Sequence, residues 1–139
     1  MRQTVFTTAS RFMVIEDLDV DNLQCYLAAF ESAYQVFFAA TLDDRQPGPA
    51  RCRAVLTDMR RRLDRELKKV DYTELTFFQF GLDHLVESLW QTLNYPPRET
   101  SVCHLGERVS KAGRILATLI RMVQALISME MLQLTFDDE

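Results

Sequence analysis

The stretch "RILATLIRMVQALISMEMLQL" at residues 114–134 limits what this chain can fold into more than any other part of it. Its polar neighbours fall on one line: Glu107, Ser110, Arg114, Thr118, Arg121 and Ser128 recur at helical steps. With Lys111 and Gln124, that line covers about 140° of a helix at about 100° per residue. The remaining arc of about 220° is mostly apolar, whereas a helix on the surface of a globular domain needs little more than about 100°. Such a helix must be covered on several sides, by its own chain or by a second one. A membrane span is the third way to hide it. Arg121, Gln124 and Glu130 count against that, since a central Arg alone costs about 2.5–3.5 kcal/mol on insertion scales. No membrane span is expected.

Three more helices are legible upstream. The first is predicted over 19–42, opened by Asp19 or Asp21, whose short side chains accept from free first-turn amides. Leu23, Leu27, Phe30, Tyr34 and Phe37 make its apolar face, widened by Tyr26, Ala33 and Phe38. "DDRQPGP" ends it. The second runs from Pro49, which tolerates the first turn because its missing N–H has no partner there, to Val70. Cys52, Leu56, Met59, Leu63, Leu67 and Val70 form its narrow stripe. The third is predicted from a Thr73 cap to Leu93 on Phe78, Leu82, Leu85 and Leu89, with Gly81 inside it as a site for a close helix crossing. "NYPP" stops it and "RETSVCHLG" reads as a loop or short turn, so the fourth helix is predicted over 107–134, about 42 Å long. Residues 1–18 read as a short N-terminal arm, in which "TVFTT" favours extended chain and "RFMVIEDL" fits either a helical turn or a strand. The expected fold is all-α: a four-helix bundle-like single domain over 19–139, preceded by that arm. A chain of 139 residues buries enough surface to need neither disulfides nor metals.

In an up-down bundle each helix leaves a broad face to water, and here only the second clearly does. The surplus points to a protein partner, by default a second copy in a symmetric homodimer, otherwise a host protein. The residues expected at the contact are Leu119, Met122, Val123, Leu126, Ile127 and Met131 on the last helix, with Phe37, Phe38 and Trp90 from the first and third. The methionines suit an adaptable face as well as a core. This reading makes the chain a small cytoplasmic protein-binding module: an adaptor, a chaperone, or an occluding inhibitor of the kind phages and plasmids direct at host enzymes. That last comparison rests on composition alone.

The second helix carries an unusual charge. Residues 50–70 hold eight Lys and Arg against three acids, a balance of +5 in a chain of net charge −4. Arg60, Arg61, Arg62, Arg65, Lys68 and Lys69 form the candidate electrostatic surface, with Asp58–Arg62 and Asp64–Lys68 at the spacing of helical ion pairs. It is either a solvated face or a site that steers an acidic partner. Nucleic acid is the alternative partner, disfavoured by the acidic total and by the lack of aromatics among the basic residues.

Chemistry-bearing motifs are sparse. Arg98 and His104 have the Arg-x(4–6)-His spacing of HEPN-class nucleases, but Glu99 stands where that pattern carries Asn, Asp or His. An RNase of that kind is the least favoured reading, and the chain is not expected to be an enzyme. His84 and Glu87 are three residues apart with no second copy elsewhere, so no metal and no cofactor are expected. Cys25, Cys52 and Cys103 are odd in number and far apart, which fits a reducing compartment, with Cys25 and Cys52 expected as small core residues. The first residues lack the continuous apolar run of a signal peptide.

Overall fold

In the computed structural model, the broad apolar arc of the last segment is met by three other helices of the same chain. The structure describes residues 3–8, 11–16, 20–42, 47–70, 80–95 and 102–137, and the side chains of 20–42, 47–70, 80–95 and 104–131. The helices are α1 (Val20–Thr41), α2 (Pro49–Leu67), α3 (Leu82–Leu93) and α4 (Val102–Asp137). Before them, β1 (Gln3–Thr8) and β2 (Arg11–Glu16) pair antiparallel, in register from Gln3↔Glu16 to Thr8↔Arg11. "RFMVIE" is thus a strand, and the arm carries two antiparallel strands. The domain is an all-α, four-helix bundle.

α4 has 36 residues, about 54 Å at 1.5 Å per residue. Its buried residues Ala112, Leu116, Leu119, Val123 and Leu126 lie on the arc predicted to be apolar, and Leu105, read from sequence as loop, is buried with them. Met59 and Leu63 of α2, Leu89 and Leu93 of α3, and Leu23 and Phe30 of α1 complete the core. Burying each such side chain contributes about 1.5–3 kcal/mol. Glu130 is also fully buried, four residues beyond Leu126 and seven beyond Val123, on the arc rather than on the polar line. α2 and α4 each pack against all three other helices, while α1 and α3 occupy opposite corners, and α2 touches α3 only lightly.

Local chemistry explains the boundaries. Gly48 is the extended N-cap of α2, Pro49 follows in the first turn, and the Cys52 amide donates to the Gly48 carbonyl at 3.0 Å. α1 closes with the Thr41 hydroxyl donating to the Phe38 carbonyl at 2.7 Å. The free carbonyls at the end of α3 are met from α4: Arg108 Nη1 donates to Gln91 O and Thr92 O, both at 3.3 Å. A guanidinium there also faces the negative end of the helix dipole. Buried Thr92 satisfies its hydroxyl within its own helix, donating to Ser88 O at 2.7 Å.

Two expected boundaries move. α4 begins at Val102 rather than near 107, and runs straight through Gly106. One glycine costs about 1 kcal/mol in a helix, and full burial of Leu105 outweighs that. α3 begins at Leu82, with Gly81 as its N-cap at φ 71, a left-handed conformation that favours glycine. The expected start at Thr73 and stripe residue Phe78 lie outside the described residues. Gly81 makes no close crossing, since nothing lies within 4 Å of where its Cβ would be.

The close crossing is at Gly113 instead. A Cβ there would stand 2.5–2.6 Å from three ring carbons of Phe37, so the α1 ring sits in the space a side chain would take on α4. Gly113→Ala gains helix propensity but must push the ring aside. In the wild-type background we expect it to be neutral or destabilising in urea denaturation. In a Phe37→Ala background, where the space is empty, it should stabilise by about 1 kcal/mol. Equal effects in both backgrounds would contradict the packing.

Candidate interaction surfaces

The predicted contact residues separate into two groups. Leu119 and Val123 are fully buried and Leu126 is 4% exposed, so these three belong to the bundle's own core and not to an outer surface. The reason is the width of the arc, which α1, α2 and α3 cover between them. Met122, Ile127, Phe37 and Trp90 are half-buried at the edge of that core. Phe38 is 52% exposed and Met131 51%. Leu42, which the pattern of the first helix did not single out, is the most exposed large apolar residue described, at 67%.

Phe38 and Leu42 are four residues apart on the last turns of α1, so they share a face. Tyr34 lies one turn before them, its ring 6.5 Å from that of Phe38 and 5.6 Å from that of Phe37. Phe37 in turn is anchored over Gly113. The end of α1 is therefore a ring cluster fixed on the bundle side and bare on the other. Along α1 the buried positions are Asn22, Leu23, Tyr26, Ala29, Phe30 and Ala33, which places the centre of the buried face nearer Tyr26 and Ala33 than the expected stripe, and leaves Phe38 outside it.

The electrostatic residues stay on the outside of α2. Lys68 pairs with Asp64 at 3.6 Å, and Glu66 takes both Lys69 at 3.2 Å and Arg65 at 3.4 Å. The hydrogen bond from Lys69 holds the Glu66 carboxyl below its ordinary range. Arg60 reaches across to Asn94 Oδ1 at 3.3 Å, tying α2 to the end of α3. The expected Asp58–Arg62 pair is not formed, and neither Arg61 nor Arg62 has an ion pair or hydrogen bond among the described residues.

A groove of about 680 Å³ opens between α1, α2 and α3. Tyr26 and Phe30 form one wall, Leu67 and Val70 another, and Trp90 and Asp83 stand on the α3 side. Sequence reading missed it, because a groove depends on how three helices lie together rather than on the spacing along any one of them. The nearest signal was Asp83, Val86, Glu87 and Trp90 at one-face helical spacing.

Among the described side chains, His84 and Glu87 do not join a second His or carboxylate set, and the Arg98–His104 and Cys103–His104 pairs lie partly outside them. His84 and Glu87 are exposed on α3, His104 is exposed on α4, and Arg98 lies outside the described residues. No group of three potential metal ligands occurs among the described residues. Cys25 is exposed rather than in the core, because it sits one position before Tyr26 on the outer side of α1, whereas Cys52 is buried as expected. The segment His104–Met131 is long and apolar enough to cross a membrane by length and composition. The chain matches no family model, no curated protein and no solved structure.

The two described thiols differ in a measurable way. Burial pushes the Cys52 thiol up, with the Arg53 guanidinium pulling weakly the other way. In a Cys103→Ser chain at mildly alkaline pH, Cys25 should label with a thiol reagent at the rate of a free thiol. Cys52 should react only as fast as the bundle opens, and at full rate in denaturant. Equal rates for both in the folded protein would contradict the placement of Cys52.

Proposed function

We propose that the protein is a protein-binding module that acts by covering a surface rather than by catalysis, and that it self-associates as a homodimer through the end of α1. The observation that carries this is the exposure of Phe38 and Leu42 beside the stacked ring of Tyr34. An exposed cluster of large apolar side chains on a fixed helix end marks an interaction site. A two-fold axis through such a patch sets each copy's apolar face on the other's, the commonest way for a soluble chain to close an assembly. Compared with the reading from sequence, the surface moves from the middle of α4 to the end of α1, with Met131 as an outlying exposed residue of α4. The role as adaptor, chaperone or inhibitor follows from such a surface. Free thiols at Cys25 and Cys52 support a reducing, cytoplasmic setting.

Light scattering across a concentration series tests this. The wild-type chain should approach twice 16.2 kDa. The Phe38→Glu, Leu42→Glu variant should weaken association by about two orders of magnitude and keep its helical circular dichroism, since both residues are outside the core. A wild-type particle that stays at 16.2 kDa at every concentration would remove the homodimer.

A second reading, contact with nucleic acid, is favoured by Arg61 and Arg62, which lack partners among the described residues. It requires binding that weakens steeply with salt and is lost in Arg61→Glu, Arg62→Glu.

A further inference from the structure

We propose that the groove between α1, α2 and α3 is a binding site for a small organic cation: an ammonium group carried on an apolar, ring-sized body. Three observations converge. The groove holds about 680 Å³, within the range of about 300–1,000 Å³ typical of small-molecule sites. Its lining carries three rings, the buried Tyr26 and Phe30 of α1 and Trp90 of α3, with Leu67, Val70 and Val86, beside the polar Gln91 and Asn94. Its charged described lining is Asp83 and Glu87 only, with no Lys or Arg among the described residues that line it.

Asp83 supplies the specific element. Its Oδ1 is buried and has no hydrogen-bond partner. A buried carboxylate oxygen without a donor is costly, and the first turn of α3, where Asp83 stands, does not supply one. Glu87, one turn on, is already engaged, accepting from Gln91 Nε2 at 3.5 Å. The groove therefore offers one acceptor in need of a donor, an indole about two turns further along α3, and apolar side chains for a hydrophobic body. An ammonium head meets the need at Asp83; a carboxylate or phosphate head would meet two like charges instead. The apolar lining also disfavours a hydrated metal ion, which would leave the ring walls unused.

The chain has one tryptophan, Trp90, and it lines the groove, so its fluorescence reports occupancy directly. Full-length protein titrated with phenethylammonium should show a saturable change in emission. The isosteric 3-phenylpropionate should show none, and neutral 2-phenylethanol only a weak one. Asp83→Asn should weaken phenethylammonium binding by about tenfold or more and erase the preference for it over the alcohol. Should Asp83→Asn fail to fold, Val70→Phe, which narrows the groove without altering its charge, must weaken binding of the ammonium and the alcohol alike. Absence of a saturable change in the wild type, equal binding of 3-phenylpropionate, or unaltered affinity in both variants would each overturn the proposal. None of these outcomes depends on Phe38 or Leu42, so the site stands or falls apart from the dimer.

Discussion

The apolar arc of α4 is the constraint from which the rest of the structure follows. An arc wider than one neighbouring helix can cover has to be shared, and α1, α2 and α3 share it. Once α2 lies on α4 across the diagonal, α1 and α3 are held at opposite corners. The charged side of α2 must then face outward, because Cys52, Leu56, Met59 and Leu63 are turned in. Leu119 and Val123 sit in the interior this creates. A charge at either position would break the bundle before it could report on any association, since an unpaired charge there would be stranded away from water. His104–Met131, a 28-residue segment that passes for a membrane span by length and composition, lies on this same helix and is partly buried in the bundle.

Charge is handled more locally than packing. Along α2 the acids pair with cations three or four residues away or directly adjacent, so Asp64 and Glu66 are satisfied within the helix that carries them. Glu66, with its carboxyl held low mainly by the Lys69 hydrogen bond, favours the folded state above its ordinary range and loses that contribution as pH falls. Its pairs are exposed, so the contribution is small. Three acids cannot balance eight cations, and Arg61 and Arg62 have no ion pair or hydrogen bond among the described residues. Two of the chain's cations bind across the fold and act as fasteners. Arg60 and Arg108 both reach the C-terminal end of α3, one through Asn94 and the other through the last-turn carbonyls. α3, the shortest helix and only lightly packed on α2, is thereby pinned at its end.

Periodicity made the number, order and inner faces of the helices legible, because a 3.6-residue repeat is a direct image of one-sided burial. The α2 stripe and the arc of α4 needed little revision. The misplaced features are those that depend on what a neighbouring element does. Gly106 looks like a break, yet Leu105 beside it is buried by other helices. Gly81 and Gly113 are indistinguishable in sequence: one adopts a left-handed turn and the other makes room for a ring from α1. Cys25 and Phe38 border their stripe, and which side of the border they fall on is decided by where α2 and α4 lie rather than by spacing. The groove left no direct trace, because a cavity is a property of elements that fail to meet.

α1 contributes to both proposed sites. α1 has 22 residues against 12 for α3, so two helices at opposite corners of one bundle differ by about 15 Å at 1.5 Å per residue. On the α3 side the buried residues Tyr26 and Phe30 of α1 border the groove. On the α1 side the last turns carry Phe38 and Leu42 beyond the buried stretch that ends at Ala33. Phe38 follows Tyr26 by 12 residues, about 18 Å along one helix. α1 thus lends one end to an interface and its middle to a cavity wall. A ligand wedged between Tyr26 and Trp90 would brace α3 against α1, the pair of helices that the bundle itself holds apart, without needing to touch the ring cluster that α1 presents at its end.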